Sequence, residues 1–219
     1  MRTCPKPDGE NYPYSDDTFK LITKLAPTIK KYSRKYNVPP IAVAGAIADE
    51  YNTRIKFERA ALDWGQDVFI SLLSDRAIRL DHKVGVNSKW LNATKHDLGI
   101  GNIKLETAMK IYNYYKIIFG KQINSWDDLV DYILTDEGTV HIASLVIRKA
   151  KFTMFPYFDS SYSDEIKEAL YITYYKQGES FVTRYKAKPP HERKKGITPG
   201  EGCRGFYQRD KFKTALGIK

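Results

Sequence analysis

Residues 38–52 of the chain are VPPIAVAGAIADEYN, a run of small and apolar residues with no charge before Asp49. Pro40 suits the first turn of a helix, because its missing N–H would have no helical partner there. A helix that is apolar on nearly every face is typical of a protein interior. The segment therefore predicts a buried helix whose C-terminal end lies at Glu50.

Glu50 is the most informative residue of this helix. At a helix C-terminus its carboxylate would lie beside unpaired carbonyl groups and the negative end of the helix dipole, where a negative charge is disfavoured. Burial acts in the same direction, so both effects are expected to raise the pKa of Glu50. A carboxyl group that stays protonated near neutral pH can donate a proton to a leaving oxygen, as in glycoside hydrolysis. The alternative is that the last turn simply reaches solvent and Glu50 has no catalytic role.

The chain is basic, with a formal net charge of +10 over 219 residues. This charge favours a polyanionic partner such as nucleic acid, an anionic membrane or an acidic cell-wall polymer. The Lys and Arg residues are spread along the sequence, which predicts a generally cationic surface and not a focused groove. No run approaches the roughly 20 apolar residues of a membrane span, and residues 1–6 lack the apolar core of a secretory signal. The protein is therefore expected to stay inside the cell, to be delivered by lysis or injection, or to be a segment of a longer chain.

Apolar residues recur at helical spacing along most of the sequence, which predicts a mostly α fold in one domain. Residues 1–14 are expected to form an irregular lead before a domain at 15–219, whose basic extension from about residue 188 is only weakly structured until residue 206. At most one small β-hairpin is expected, near residues 81–95. Cys4 and Cys203 are expected to be free thiols, with a disulfide between them as the alternative in an oxidising compartment.

Two further segments lie beside predicted helix ends. Residues 97–108, DLGIGNIKLETA, contain two glycines spaced by one residue, which let the backbone approach another molecule closely, and Asn102 follows them. Residues 174–178, YYKQG, end a helix with tyrosines and a glycine. A phosphate loop fits the first segment poorly, because the GKS/T pattern and a parallel-sheet pattern are missing. Taken alone, each segment is explained by an ordinary Gly-rich turn or helix end.

Taken in order, these segments resemble the lysozyme-like superfamily, in particular its goose-type lysozyme and soluble lytic transglycosylase branch. The catalytic glutamate of that family ends a buried helix that begins with VPP and continues through a hydrophobic run. Residues 38–50 match this pattern, with Glu50 in the catalytic place. Residues 99–108 are similar to the family's GLGQ-hydrophobic-xxx-TA motif, with Asn102 in place of the glutamine.

Two more motifs follow in the family's order. Residues 139–146 are similar to a conserved helix of the family, and residues 174–178 are similar to its AYNAG motif, of which the Tyr and the Gly remain. The match covers about residues 30–186, and its specificity lies in the order of four weak motifs. The sequence departs from the family at Tyr51, where a serine is usual, and at Lys176, where the motif has asparagine.

The resemblance implies a peptidoglycan muramidase, which cleaves the β-1,4 bond between N-acetylmuramic acid and N-acetylglucosamine. Glu50 would be the general acid, and Tyr175 would orient its carboxyl group through a hydrogen bond. The second carboxylate would be Asp97, which is fused to the Gly motif, or Asp63. Both hydrolysis by water and attack by the sugar's own 6-hydroxyl, which gives a lytic transglycosylase, remain open. The residues expected to hold the glycan are Gly99, Gly101, Asn102, Ile103 and Tyr175.

The implied partners are peptidoglycan glycan strands in the periplasm or cell wall of a target bacterium. An inhibitory immunity protein that plugs the cleft is expected if the protein is an antibacterial effector, and a phage endolysin is the other form of delivery. No metal or organic cofactor is implied, since the four histidines form no pair at zinc-ligand spacing. Nucleic acid is not an expected partner of the muramidase. The alternative function is a non-enzymatic basic helical module that binds nucleic acid or a protein.

Overall fold

Helices make up most of the chain that the structure describes. The computed structural model describes residues 3–7, 12–63 and 97–219, and for residues 54–63 and Asp97 it describes the backbone alone. A 3₁₀ helix spans Phe155–Tyr157, and the predicted mostly α fold is confirmed. The helices are α1 (Asp16–Tyr36), α2 (Pro40–Asp63), α3 (Leu105–Tyr114), α4 (Lys116–Phe119), α5 (Trp126–Ile133), α6 (Asp136–Met154), α7 (Asp164–Gln177), α8 (Glu179–Ala187), α9 (Pro190–Arg193), α10 (Cys203–Phe206) and α11 (Arg209–Leu216).

Side-chain caps fix where several helices begin. The Ser15 hydroxyl accepts a hydrogen bond from the N–H of Thr18 at the start of α1, and Thr135 caps α6 in the same way. Ser125 and Asp128 form a reciprocal capping box at the start of α5. Each cap satisfies backbone N–H groups that a first helical turn leaves without a partner. In the sequence each of these capping residues is followed by acidic residues in the first turn, which is a helix-start pattern.

Helix α2 is longer than the sequence analysis predicts. It was expected to end at Glu50, but it continues to Asp63, so Glu50 lies near its middle. The segment 51–63 contains neither Pro nor Gly, and the change from apolar to polar residues there does not interrupt the backbone hydrogen bonds. The predicted effect of the helix C-terminus on Glu50 is therefore wrong, because the dipole acts only within the last turn.

The core is built around α2 and α6. Helix α6 packs against α1, α2, α3, α5 and α7. It is buried on several faces, by residues such as Val140, Ile142 and Leu145. In α2, residues 41–50 are buried, as the apolar run predicts. Gly45 lets α2 approach α7 closely, since a Cβ there would lie 2.5 Å from the Cδ1 atom of Ile172.

The two ends of the chain are joined to each other and to the core. Cys4 and Cys203 form a disulfide, so the expectation of free thiols is wrong and the alternative is correct. The Tyr207 hydroxyl donates to the carbonyl oxygen of Cys4 (2.9 Å). The extension from residue 188 was expected to be weakly structured until residue 206, but α9 and α10 lie within that part, and α11 follows where structure was expected. Phe212 of α11 is fully buried and belongs to the main core.

A short hairpin precedes α3. Asp97–Leu98 (β1) pairs antiparallel with Ile103–Lys104 (β2), with Leu98 opposite Ile103. The hairpin predicted near residues 81–95 lies outside the described residues. Within the described part of the chain, no helix is both long enough and apolar enough to cross a membrane.

Candidate active site

Glu50 lies on an open pocket of about 430 Å³ that is formed by three parts of the chain. Helix α2 supplies one wall, the β1–β2 hairpin a second, and the end of α7 a third. Four of the predicted site residues thus meet here, although they are distant in sequence. The lining residues are Glu50, Thr53, Asn102, Ile103, Lys104, Tyr175, Lys176, Gln177 and Gly178.

The Glu50 carboxyl group is buried and hydrogen-bonded. The Asn102 side-chain amide donates to Glu50 Oε2 (3.2 Å), which joins the hairpin loop to the middle of α2. Burial raises the pKa of Glu50 above its usual value, and the nearby Asp49 adds to this effect. The Lys176 ammonium and the Asn102 amide act in the opposite direction, because both stabilise the ionised form. The net result is a carboxyl group that holds its proton more strongly than an ordinary glutamate.

The glycines of the β1–β2 loop are required by close packing. Gly99 has a positive φ of 65°, and a Cβ there would lie 2.8 Å from both the Ile133 carbonyl oxygen and Thr139 Oγ1. Gly101 likewise lies against Thr139, whose Cγ2 atom would be 2.7 Å from an added Cβ. The loop therefore rests directly on the first turn of α6. Asn102, which also has a positive φ of 50°, is then directed at Glu50.

Tyr175 positions this loop. Its hydroxyl donates to the carbonyl oxygen of Gly101 (2.8 Å), and its ring lines the Glu50 pocket. The sequence analysis predicted a hydrogen bond from Tyr175 to Glu50. A hydroxyl group has a single proton, so in this arrangement Tyr175 is not the donor to Glu50. Asn102 fills that role, and Tyr175 acts on Asn102 through the loop.

A charged cluster behind Glu50 was not predicted. Asp49 is 1% exposed, and its Oδ1 atom accepts hydrogen bonds from Arg204 Nη1 (2.7 Å) and from the Tyr14 hydroxyl (3.1 Å). Lys176 Nζ lies 3.1 Å from Asp49 Oδ2 and 3.4 Å from Glu50 Oε1. In the sequence, Asp49 was visible only as the neighbour of Glu50, and Lys176 only as a departure from the AYNAG motif. Arg204 reaches Asp49 from a position 155 residues further along the chain.

The second carboxylate stays a prediction. Asp97 belongs to β1, where its Cα pairs with that of the pocket residue Lys104. Asp63 is the last residue of α2. The side chains of both aspartates lie outside the described residues, so their distances from Glu50 are not part of the described site. Among the described residues, no group of three His, Cys, Asp or Glu side chains could hold a metal ion.

Comparison of the chain with protein-family models, with curated proteins and with solved structures found no match.

Proposed function

We propose that the chain is a peptidoglycan muramidase in which Glu50 protonates the glycosidic oxygen between N-acetylmuramic acid and N-acetylglucosamine. The observation that carries this proposal is a buried carboxyl group with a raised pKa that opens into a pocket lined by polar side chains. Such an environment keeps a carboxyl group protonated until it donates to a leaving oxygen. The resemblance of the motifs at 38–50 and 99–108 to lysozyme-like enzymes supports the same role.

The pocket has the size and chemistry that a sugar substrate requires. Its volume of about 430 Å³ lies within the usual range for small-ligand sites, which is roughly 300–1,000 Å³. Asn102, Gln177 and Thr53 offer amide and hydroxyl groups to sugar hydroxyl and acetamido groups. Lys104 and Lys176 place two positive side chains on the pocket lining, and the whole chain has a net charge of +10. Both features favour the anionic polymers of a bacterial cell wall.

The reaction has two branches after the first proton transfer. Glu50 gives its proton to the leaving oxygen, and the bond from that oxygen to C1 of the muramic acid breaks. In the hydrolase branch, a water oxygen bonds to C1 and its proton passes to a carboxylate, for which Asp97 and Asp63 are the candidates. In the transglycosylase branch, the 6-hydroxyl of the same sugar bonds to C1 and its proton returns to Glu50.

The disulfide supports a site of action outside the reducing cytosol. Disulfides persist in the periplasm and at cell surfaces, and they are rare where thiols are kept reduced. The Cys4–Cys203 bond therefore fits an enzyme that acts in the periplasm or wall of a target bacterium, whether an effector or an endolysin. An inhibitor protein that inserts an acidic side chain towards Lys104 and Lys176 would block such a pocket.

Purified sacculi test the proposed function directly. The wild-type protein is expected to lower their turbidity, and mass spectrometry of the soluble fragments identifies the branch. Reducing muramic acid ends indicate hydrolysis, and 1,6-anhydro ends indicate transglycosylation. If the wild type releases no fragments, the muramidase proposal is wrong. Binding to DNA and RNA, measured in parallel at several salt concentrations, examines the non-enzymatic alternative.

Gly101→Ala is expected to slow cleavage, because the new Cβ would contact Thr139 Cγ2 and the Tyr175 hydroxyl and displace the loop that holds Asn102. Its cost in stability should be about 1–3 kcal/mol, as for other overpacked sites. Thr139→Ser removes the contacting methyl group and keeps the hydroxyl that donates to Ile133. The double variant should therefore recover part of the lost rate, while Thr139→Ser alone is the control. Equal rates for Gly101→Ala and wild type would contradict this role of the loop.

A further inference from the structure

Lys176 lies between two carboxyl groups of α2. Its Nζ atom is 3.1 Å from Asp49 Oδ2 and 3.4 Å from Glu50 Oε1, and its side chain is 26% exposed. The lysine is at the end of α7, next to Tyr175, and it lines the same pocket as Glu50. It therefore contacts the proposed acid from the wall of the pocket that α7 forms.

The other carboxylate oxygen of Asp49, Oδ1, is already bound by two side chains. Arg204 Nη1 lies 2.7 Å from Asp49 Oδ1, and the Tyr14 hydroxyl donates to the same atom. Asp49 has one negative charge, whereas Arg204 and Lys176 have one positive charge each. When Glu50 is protonated, these three side chains together therefore have one positive charge in excess. When Glu50 is ionised, the charges balance.

We propose that Lys176 is a positioning residue that stabilises the Glu50 carboxylate formed when the proton passes to the leaving oxygen. This inference rests on the proposed function. During the transfer the proton leaves a Glu50 oxygen, the bond from C1 to the glycosidic oxygen breaks, and Glu50 becomes negative. The ammonium group is already in place and gains its attraction only as that charge develops. An interaction that strengthens towards the transition state accelerates the step.

Lys176 stays protonated throughout this step. Burial alone would lower the pKa of Lys176, but Asp49 and Glu50 together raise it above its usual value. The lysine is thus a fixed charge and not a second proton donor. Asp49 holds the ammonium group from behind, and Arg204 in turn binds the other oxygen of this nearly fully buried carboxylate.

The pH dependence of cleavage reports this contact. Lys176 lowers the pKa of Glu50 against the larger, raising effect of burial. Removal of its charge should therefore raise the pKa of Glu50 and move the alkaline limb of the rate profile to higher pH. The plateau rate should fall at the same time, because the carboxylate product of the proton transfer loses its counter-charge. Among the described residues, the charged and polar groups around Glu50 come from three walls and from the cluster next to Asp49. They are Lys176, Tyr175 and Gln177 from the end of α7, Asp49 and Thr53 from α2, Asn102 and Lys104 from the hairpin, and Arg204 and Tyr14 behind Asp49.

The experiment compares Lys176→Met with Lys176→Arg. The methionine variant should lose roughly tenfold or more in plateau rate on soluble glycan fragments, with its alkaline limb at higher pH. The arginine variant keeps the charge and should keep the wild-type limb. Lys20→Met, which removes an exposed lysine that pairs with Asp17 one turn away in α1, is the control for net charge. A plateau loss without any shift of the limb would indicate a merely structural role and would overturn the proposal.

A second measurement does not depend on cleavage. Titration of the carboxyl ¹³C resonances gives the pKa of Glu50 directly, and the resonance is assigned by its absence in Glu50→Gln. An upward change in Lys176→Met and none in Lys20→Met is the expected result. Identical titration curves in wild type and Lys176→Met would overturn the inference, whether or not the wild type cleaves sacculi. If the wild type does not cleave, the proposed function fails separately, and the catalytic role of Lys176 fails with it.

Discussion

Glu50→Gln is expected to slow peptidoglycan cleavage by about 10²–10⁴-fold, the usual contribution of a general acid. The amide has nearly the same shape as the carboxyl group, and its oxygen can still accept the hydrogen bond from Asn102. It has no acidic proton to give to the glycosidic oxygen. The substitution thus separates the loss of a proton donor from a change in the shape of the pocket.

The measurement is the initial rate of fragment release from sacculi, normalised to folded protein. Glu106→Gln is a matched control, because it makes the same chemical change at a half-exposed position of α3 that pairs with Lys110. Its rate should stay within about twofold of wild type, as is usual for surface positions. Thermal unfolding of all three proteins verifies that the fold is intact. A Glu50→Gln variant as active as wild type would remove Glu50 from the reaction.

Local chemistry explains which parts of the fold could be predicted. Ser15, Ser125 and Thr135 begin helices because their side chains satisfy N–H groups only a few residues away. Gly120 ends α4 in the left-handed conformation that glycine adopts without strain. The end of α2 was wrong for the opposite reason. A change from apolar to polar residues near Glu50 marks a change of surroundings, and the helix continues to Asp63 because no residue there interrupts it.

The site was only partly predictable. Glu50 and Asn102 were selected from motifs, and the structure joins them through one hydrogen bond. The expected cause of the raised pKa was half correct, since burial contributes and the helix terminus does not. Lys176 was noted only as a departure from a motif, and its contact with Glu50 depends on how α7 packs against α2. A contact between residues so distant in sequence has no local pattern from which it could be inferred.

The Cys4–Cys203 disulfide is also a contact between residues distant in sequence. Among the substitutions proposed for this protein, its removal should lower the free energy of unfolding most. The bond joins residues separated by 199 positions. A cross-link that closes so long a loop restricts the unfolded chain strongly, and the double variant Cys4→Ser/Cys203→Ser should lose up to about 5 kcal/mol. The midpoint of urea unfolding should fall accordingly, and the slope should increase, because the unlinked chain exposes more surface when it unfolds.

The loss should also reach the candidate active site, because the disulfide lies next to Arg204 in α10. Tyr207 and Gln208 bind the N-terminal segment at Cys4 and Tyr14, and both Tyr14 and Arg204 bind Asp49 behind Glu50. A reducing agent should lower the stability of the wild type and leave that of the double serine variant unchanged. The variant is therefore the control for the reduction of the wild type. A difference below about 1 kcal/mol between the oxidised wild type and the variant would show that the non-covalent contacts alone hold the two ends. In that case the Arg204–Asp49 pair, and with it the position of Lys176, would be independent of the redox state of the cysteines.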